Sequence, residues 1–157
     1  MFDQLGPDDE LTKKLFSEGY KDIFDNINSG IAIYRGVNNG EDFIFVDINK
    51  AGSKFSKVEK TDVFGKSVTD VFPGIKDMGL FAVFQDVWYT GKAMDFPLTK
   101  YMDERITQWV QNHVFKLYDE FIVAIYDDKT DQKLSEMKLR ARIMELEKKI
   151  EDLEGSK

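Results

Sequence analysis

The sequence predicts a mixed α+β domain, a five-stranded antiparallel sheet with helices on one face, preceded by an amphipathic helix and followed by a coiled-coil helix. Three observations carry the prediction. Short β-rich runs lie between Gly30 and Ile48 and again between Met94 and Tyr126. A helical spacing, Leu80, Val83, Phe84, Val87 and Trp88, separates the two groups. After the last strand, Leu139, Ile143, Leu146, Ile150 and Leu153 recur at alternating steps of four and three.

Pro7, with its fixed φ, and the acidic Asp8, Asp9 and Glu10 suit a helix start, and Leu11, Leu15 and Phe16 form a short apolar stripe behind them. A second helix follows from Tyr20, Ile23, Phe24 and Ile27 at i, i+3, i+4 and i+7, and Asn28-Ser29-Gly30 stops it. Gly30 to Arg35 and Asp42 to Ile48 read as a hairpin, with the Asn39-Gly40 pair supplying positive φ at its turn. Between Asn49 and Pro73, Gly52, Gly65 and Pro73 punctuate the chain too often for long elements, so small helices and loops are expected. The helix over Leu80 to Trp88 ends at Thr90-Gly91. Three strands follow over Met94 to Thr99, Ile106 to Leu117 and Phe121 to Tyr126. The last two are apolar on both alternating faces, so each side of the sheet needs a cover: the middle helices on one, and on the other the Tyr20 to Ile27 helix, a partner subunit, or both.

In the tail, the spacing puts Ile at a and Leu at d of a heptad, a choice that favours two parallel strands. Arg142 and Lys149 then fall at g, and Glu147 and Glu154 at e, so each g residue faces an opposite charge across a dimer. The competing arrangement is a solvated helix folded back on its own domain. The expected organisation is a lead and short helix over residues 1–19, a domain over 20–130 and a signalling helix over 131–154.

Composition narrows the function. With 157 residues, 42% of them hydrophobic, the chain has enough apolar mass for a real core. Its net charge of −7 opposes binding to the phosphate backbone, so no nucleic-acid partner is expected. The chain has no cysteine, which excludes disulfides, thiolate metal sites and cysteine nucleophiles. No run of apolar residues is long enough to span a bilayer, and Met1 to Asp9 is acidic where a secretory leader would be basic, so a cytoplasmic segment without direct membrane insertion is expected. Acidic clusters sit at apparent helix starts and turns, and Gly36 to Gly40 lacks the Lys and Ser/Thr of a phosphate loop. No catalytic residue and no metal ligand set is expected.

Several local strings, in order, are similar to those of PAS sensory domains from bacterial and archaeal signalling proteins. Asn26-Ile27-Asn28-Ser29-Gly30-Ile31 resembles the approach to the first PAS strand, and Val46-Asp47-Ile48-Asn49-Lys50-Ala51 the second strand running into a helix. Gly65-Lys66-Ser67 with Asp70 and Phe72-Pro73 resembles the Gly-Lys-Ser…Phe-Pro connector. Thr90-Gly91-Lys92 looks like the usual exit from the long helix. Asp127-Asp128-Lys129-Thr130 resembles the Asp-Ile-Thr close of the last strand, with Lys129 where the family has Ile. The resemblance covers about Tyr20 to Leu139. It implies a sensory input module, without enzymatic activity of its own, that binds a small molecule or partner and relays a change through its C-terminal helix to an effector such as a histidine kinase; the other reading is a ligand-free dimerisation module.

The resemblance also frames the candidate sites. Without cysteine the flavin–cysteinyl photochemistry of light-sensing relatives cannot occur, and His113, the only histidine, sits in a predicted strand instead of on the long helix that supplies the usual haem ligand, so no cofactor is expected. Phe81, Phe84 and Trp88 on the long helix would approach Phe43 or Phe45, Phe96 and Trp109 from the sheet. These aromatics either fill a core or line a cavity for a small apolar ligand, with Asn49, Gln108 or Asn112 orienting it. Asp128 and Thr130 are expected to relay the signal by capping backbone donors where the last helix begins. Leu139, Ile143, Leu146, Ile150 and Leu153 are the candidate dimerisation seam.

Overall fold

The computed structural model describes residues 9–156, so the expectation for Pro7 and Asp8 lies outside the described residues. Asp9 caps the first helix, its side chain accepting from the Thr12 N–H at 3.2 Å. This helix, α1 (Glu10–Lys14), passes through a π-helical turn at Leu15–Gly19 directly into α2 (Tyr20–Asn26). The two expected helices are therefore one continuous rod. A wide turn lets the chain continue without a break, and Gly19 leaves room there for the Leu15 side chain.

Strand β1 (Gly30–Val37) and β2 (Asp42–Ile48) form the expected hairpin. Its central residues are Asn38 and Asn39, at φ 52° and 57°, closed by a 3.1 Å bond from Gly40 N–H to the Val37 carbonyl. Two left-handed residues match the twist of the strands, and asparagine tolerates that conformation better than other side chains. The segment expected to break into small pieces does so, into α3 (Lys50–Ser56), α4 (Lys60–Val63), α5 (Val68–Val71) and a 3-10 turn at Pro73–Ile75. The long helix α6 (Leu80–Thr90) ends where Gly91 takes φ 71° and donates to the Val87 carbonyl. Strands β3 (Met94–Met102), β4 (Thr107–Leu117) and β5 (Phe121–Asp128) follow, and α7 (Thr130–Gly155) leaves the sheet.

The sheet order is β2-β1-β5-β4-β3, with every neighbouring pair antiparallel. Pro97, which has no N–H to offer a ladder, sits on the edge strand β3 within the irregular register between Phe96 and Thr99. On one face, Leu80, Phe81, Val83, Phe84 and Val87 of α6 are buried against Ala32, Tyr34, Phe43, Phe45, Val114 and Ile122. Edge-to-face contacts of Phe43 with Phe81 and Phe84, at 5.7 and 5.5 Å, order this core. The opposite face is covered only in part. Phe24 reaches down onto Ile31 and Val123, but Tyr20 and Ile23 of the same helix, and Ile27 just past its end, remain exposed. The amphipathic helix thus covers less of the second face than its spacing predicts, because a single side chain of its stripe meets the sheet.

Phe84 has no exposed surface, so Phe84→Ala is expected to lower unfolding free energy by about 3–5 kcal/mol. Phe16 is 74% exposed, and Phe16→Ala is expected to change it by less than about 0.5 kcal/mol. Urea titration of both variants checks the contrast.

Candidate functional site

A cavity of about 50 Å³ lies between the inner face of the sheet and the helical layer. On the sheet side its smallest lining residue is Ala124, on the central strand β5. Larger side chains stand around Ala124. Tyr34 from β1, Tyr126 from β5, and Gln108 and Asn112 from β4 supply the polar groups of the sheet side. Phe72, Met78 and Phe84 supply apolar surface from the helical side.

Most of the polar groups are tied to the scaffold. The Tyr126 hydroxyl lies 3.0 Å from Ser56 Oγ and donates to the Gly52 carbonyl at 3.3 Å. Burial pushes its pKa up to about 12, against the smaller downward pull of the Ser56 bond. The Gln108 amide donates to the Phe55 carbonyl. At the rim, the Tyr101 hydroxyl donates to Asp103, which also accepts from the N–H groups of Arg105 and Ile106 at 2.7 and 2.8 Å. Burial and the Asp103 bond raise the Tyr101 pKa. For Asp103, burial acts upward, but the hydrogen bonds outweigh it and hold the carboxyl below its ordinary value. Arg105 spans the same rim, donating to the Ser56 and Lys57 carbonyls at 2.9 and 3.4 Å, where the end of α3 leaves acceptors free.

Two lining groups differ. The Tyr34 hydroxyl and the Asn112 amide make no hydrogen bond to any described residue, although Tyr34 is 3% and Asn112 5% exposed. No fully enclosed side-chain N or O among the described residues lacks a partner, so both groups keep surface that water can reach.

Of the sequence-predicted ligand residues, Phe84, Gln108 and Asn112 meet at the cavity. Phe43, Phe45 and Phe81 lie in the solid core beside it. Trp88 lies over Gly36 and Gly40, whose missing side chains leave room for its ring, and carries Lys116 Nζ 4.4 Å from the ring centroid. Phe96 is half-buried near Gly79, at the edge of the sheet. Two placements are corrected. Asn49 is a structural clamp: it donates to the Phe24 and Ser29 carbonyls at 2.9 and 3.0 Å and accepts from Ile31 and Gly52 N–H at 2.8 and 2.9 Å. With those bonds made, it has nothing left to orient a ligand. Trp109 faces away from the cavity, because it alternates with Gln108 and Val110 along β4. Tyr34, Ser56, Tyr101 and Tyr126 were not among the expected residues. Tyr126 was within reach, since it continues the Ile122, Ala124 alternation that marks the inner face.

Trp109 instead anchors α7. Its N–H donates to Thr130 Oγ1 at 3.0 Å, its carbonyl accepts from Lys129 N–H at 2.7 Å, and Lys133 Nζ sits 4.9 Å from its ring centroid. Asp128 accepts from the Thr130 N–H at 2.9 Å, as its expected capping role requires. The Thr130 hydroxyl departs from that expectation: it donates to Asp128 and accepts from β4, joining the helix to the sheet instead of capping a helical donor. Beyond this joint α7 buries no residue, so the helix does not fold back on its own domain. Leu139, Ile143, Leu146, Ile150 and Leu153 are all exposed. Arg142 and Lys149 both reach Glu145 of their own helix, at 3.1 and 3.4 Å. His113 pairs with Asp95 at 2.6 Å on the exposed outer face. No described helix is long and apolar enough to cross a membrane.

No family model matches the sequence, and no curated protein does. Solved structures do. A domain of a sensory box sensor histidine kinase/response regulator from Geobacter sulfurreducens matches with TM-score 0.58 and 16% identity, over 78% of this chain and 100% of that one. The PAS domain of a protein from Colwellia psychrerythraea matches with TM-score 0.58 and 15% identity, over 74% of this chain and 98% of that one. An RNA-binding light-oxygen-voltage receptor matches with TM-score 0.64 and 14% identity over 91% of this chain, which spans only 41% of that receptor. At these identities the likeness is one of fold. With its strand order, its helical layer on one face and its departing C-terminal helix, the chain has the PAS fold, the fold of sensory domains in histidine kinases.

Proposed function

We propose that this chain is a cytoplasmic sensory input module that binds a small molecule in its central cavity and relays occupancy through α7, paired with its copy in a homodimer, to an effector such as a histidine kinase. The single observation that carries the reading is the division of labour on β4. Gln108 lines the cavity, and the next residue, Trp109, holds both Lys129 and Thr130 at the start of α7. A ligand that moves Gln108 or Asn112 displaces the backbone to which the helix is tied. For such a shift to signal, the ligand must favour one arrangement of the paired helices over the other. The dimer rests on the exposed Leu139 to Leu153 seam, whose Ile at a and Leu at d suit two parallel strands. Arg142 with Glu147, and Lys149 with Glu154, add exposed ion pairs of about 0–1 kcal/mol each, in competition with Glu145.

The seam is tested by sedimentation. The wild type is expected to be a dimer at tens of micromolar, little weakened by salt, and Ile143→Asp with Ile150→Asp to separate the helices. Ile150→Cys, the only thiol in the chain, is expected to form an intersubunit disulfide rapidly. A monomeric wild type, or slow pairing in a dimer, removes the parallel seam.

The relay is tested at the joint. Thr130→Val removes the acceptor for Trp109 N–H and is expected to lower stability by about 1–3 kcal/mol. Amide exchange at Trp109 is expected to quicken while the cavity residues keep their wild-type shifts. Unchanged exchange at Trp109 would remove the joint from the relay. A dimer that takes up no ligand under any condition supports the ligand-free dimerisation module instead.

A further inference from the structure

The apolar seam of α7 does not reach back to the sheet. One heptad before Leu139 and Ile143, the positions that would carry it towards the Trp109 joint hold Gln132 at d and Glu136 at a. In a parallel pair two Glu136 carboxylates would face each other and repel, and Gln132 brings a carboxamide where the seam needs an aliphatic side chain. Glu136 is engaged within its own helix instead. It pairs with Arg140 at 2.7 Å, acid first and four residues apart, the favourable order on a helix. The apolar residues of this stretch, Leu134 and Met137, are exposed and fall at f and b, on the far side of the helix from the seam.

The contacts of α7 with its own domain divide the helix at the same place. Thr130 accepts from the Trp109 N–H, and Lys133, which falls at e beside the seam, lies over the Trp109 ring. In a coil an e residue faces the partner's g position; here Lys133 is held against its own sheet. From Met137 to Ser156 every residue is exposed. The first turns of α7 thus belong to the domain, and the turns from Leu139 onward carry the seam and touch nothing else in the chain.

We propose that the coil begins at Leu139 and that Gln132 and Glu136 hold it there, leaving Thr130 to Lys138 as an unpaired helical stem between the Trp109 joint and the paired helices. This rests on the paired-helix reading of α7 and adds to it where pairing stops and what stops it. A seam running up to Thr130 would clamp the joint from outside; the stem leaves it free to move with the sheet. The test uses single thiols in the full chain, which has no cysteine of its own. Under mild oxidation Ile143→Cys is expected to cross-link the dimer rapidly, and Gln132→Cys at least about tenfold more slowly. Adding Glu136→Leu to Gln132→Cys is expected to bring its rate within about threefold of that of Ile143→Cys. Sedimentation is the second readout. Gln132→Leu with Glu136→Leu is expected to lower the dissociation constant of the dimer by about tenfold or more, whereas Lys138→Leu, off the seam at c, changes it by less than about threefold. Leu134→Gln with Met137→Gln alters only exposed side chains and is expected to leave the dimer equally tight. In the Gln132→Leu, Glu136→Leu variant amide exchange at Trp109 and Lys129 is expected to slow by about tenfold. Equal cross-linking through Gln132→Cys and Ile143→Cys, no gain in affinity or no slowing of exchange in the Gln132→Leu, Glu136→Leu variant, or a dimer weakened by Leu134→Gln with Met137→Gln would overturn the stem. Failure of the paired-helix reading gives a different result: the wild type is a monomer, and neither thiol cross-links.

Discussion

The pleat of β4 sends Gln108, Val110, Asn112 and Val114 to one side of the sheet and Trp109, Gln111, His113 and Phe115 to the other. Everything else in the molecule is arranged around that alternation. The inner set meets α6 and bounds the cavity, and Trp109 of the outer set meets the start of α7. Neither set can move alone, because consecutive residues share a peptide plane whose hydrogen bonds run to β3 and β5. In the proposed relay, the short stretch of β4 from Asn112 to Trp109 is the path between the two faces, and a shared backbone is what would couple them.

The polar groups near the cavity divide into those that hold the fold and those left open. Asn49 ties α2, β1 and α3 together with four bonds, and Tyr126, Ser56 and Gln108 fasten β4 and β5 to α3. Arg105 and Asp103 fix the β3–β4 turn at the rim. This scaffold leaves Tyr34 and Asn112 in place with their hydrogen-bonding capacity unused.

The fold was legible in the sequence wherever one period dominated. The α6 spacing, the hairpin, the fragmented middle and the strand sequence all appear as expected, because one-sided burial imposes a simple pattern. The cavity was less legible. A void arises from what small residues leave empty, and Ala124 gives no periodic signal. Trp109 was misplaced because β4 carries large apolar residues on both faces, so hydrophobicity could not say which side faces α6; the strand's own alternation could. Asn49 has the composition of a ligand-orienting residue and the bonding of a clamp, a difference visible only once its four partners are in place. The exposed seam of α7 and the exposed Tyr20, Ile23 and Ile27 have the opposite character. Their patterns are plain in the sequence, and nothing within the described residues of one chain covers them.

The most direct test is amide exchange at Trp109 and Lys129, followed by NMR in the intact chain with the cavity empty and then saturated. Saturation is expected to change exchange at both sites, since their bonds join β4 to the start of α7, and Thr130→Val is expected to reduce that response. Shifts confined to Tyr34, Asn112 and their neighbours, with exchange at Trp109 and Lys129 unaltered, would contradict the coupling of cavity to helix.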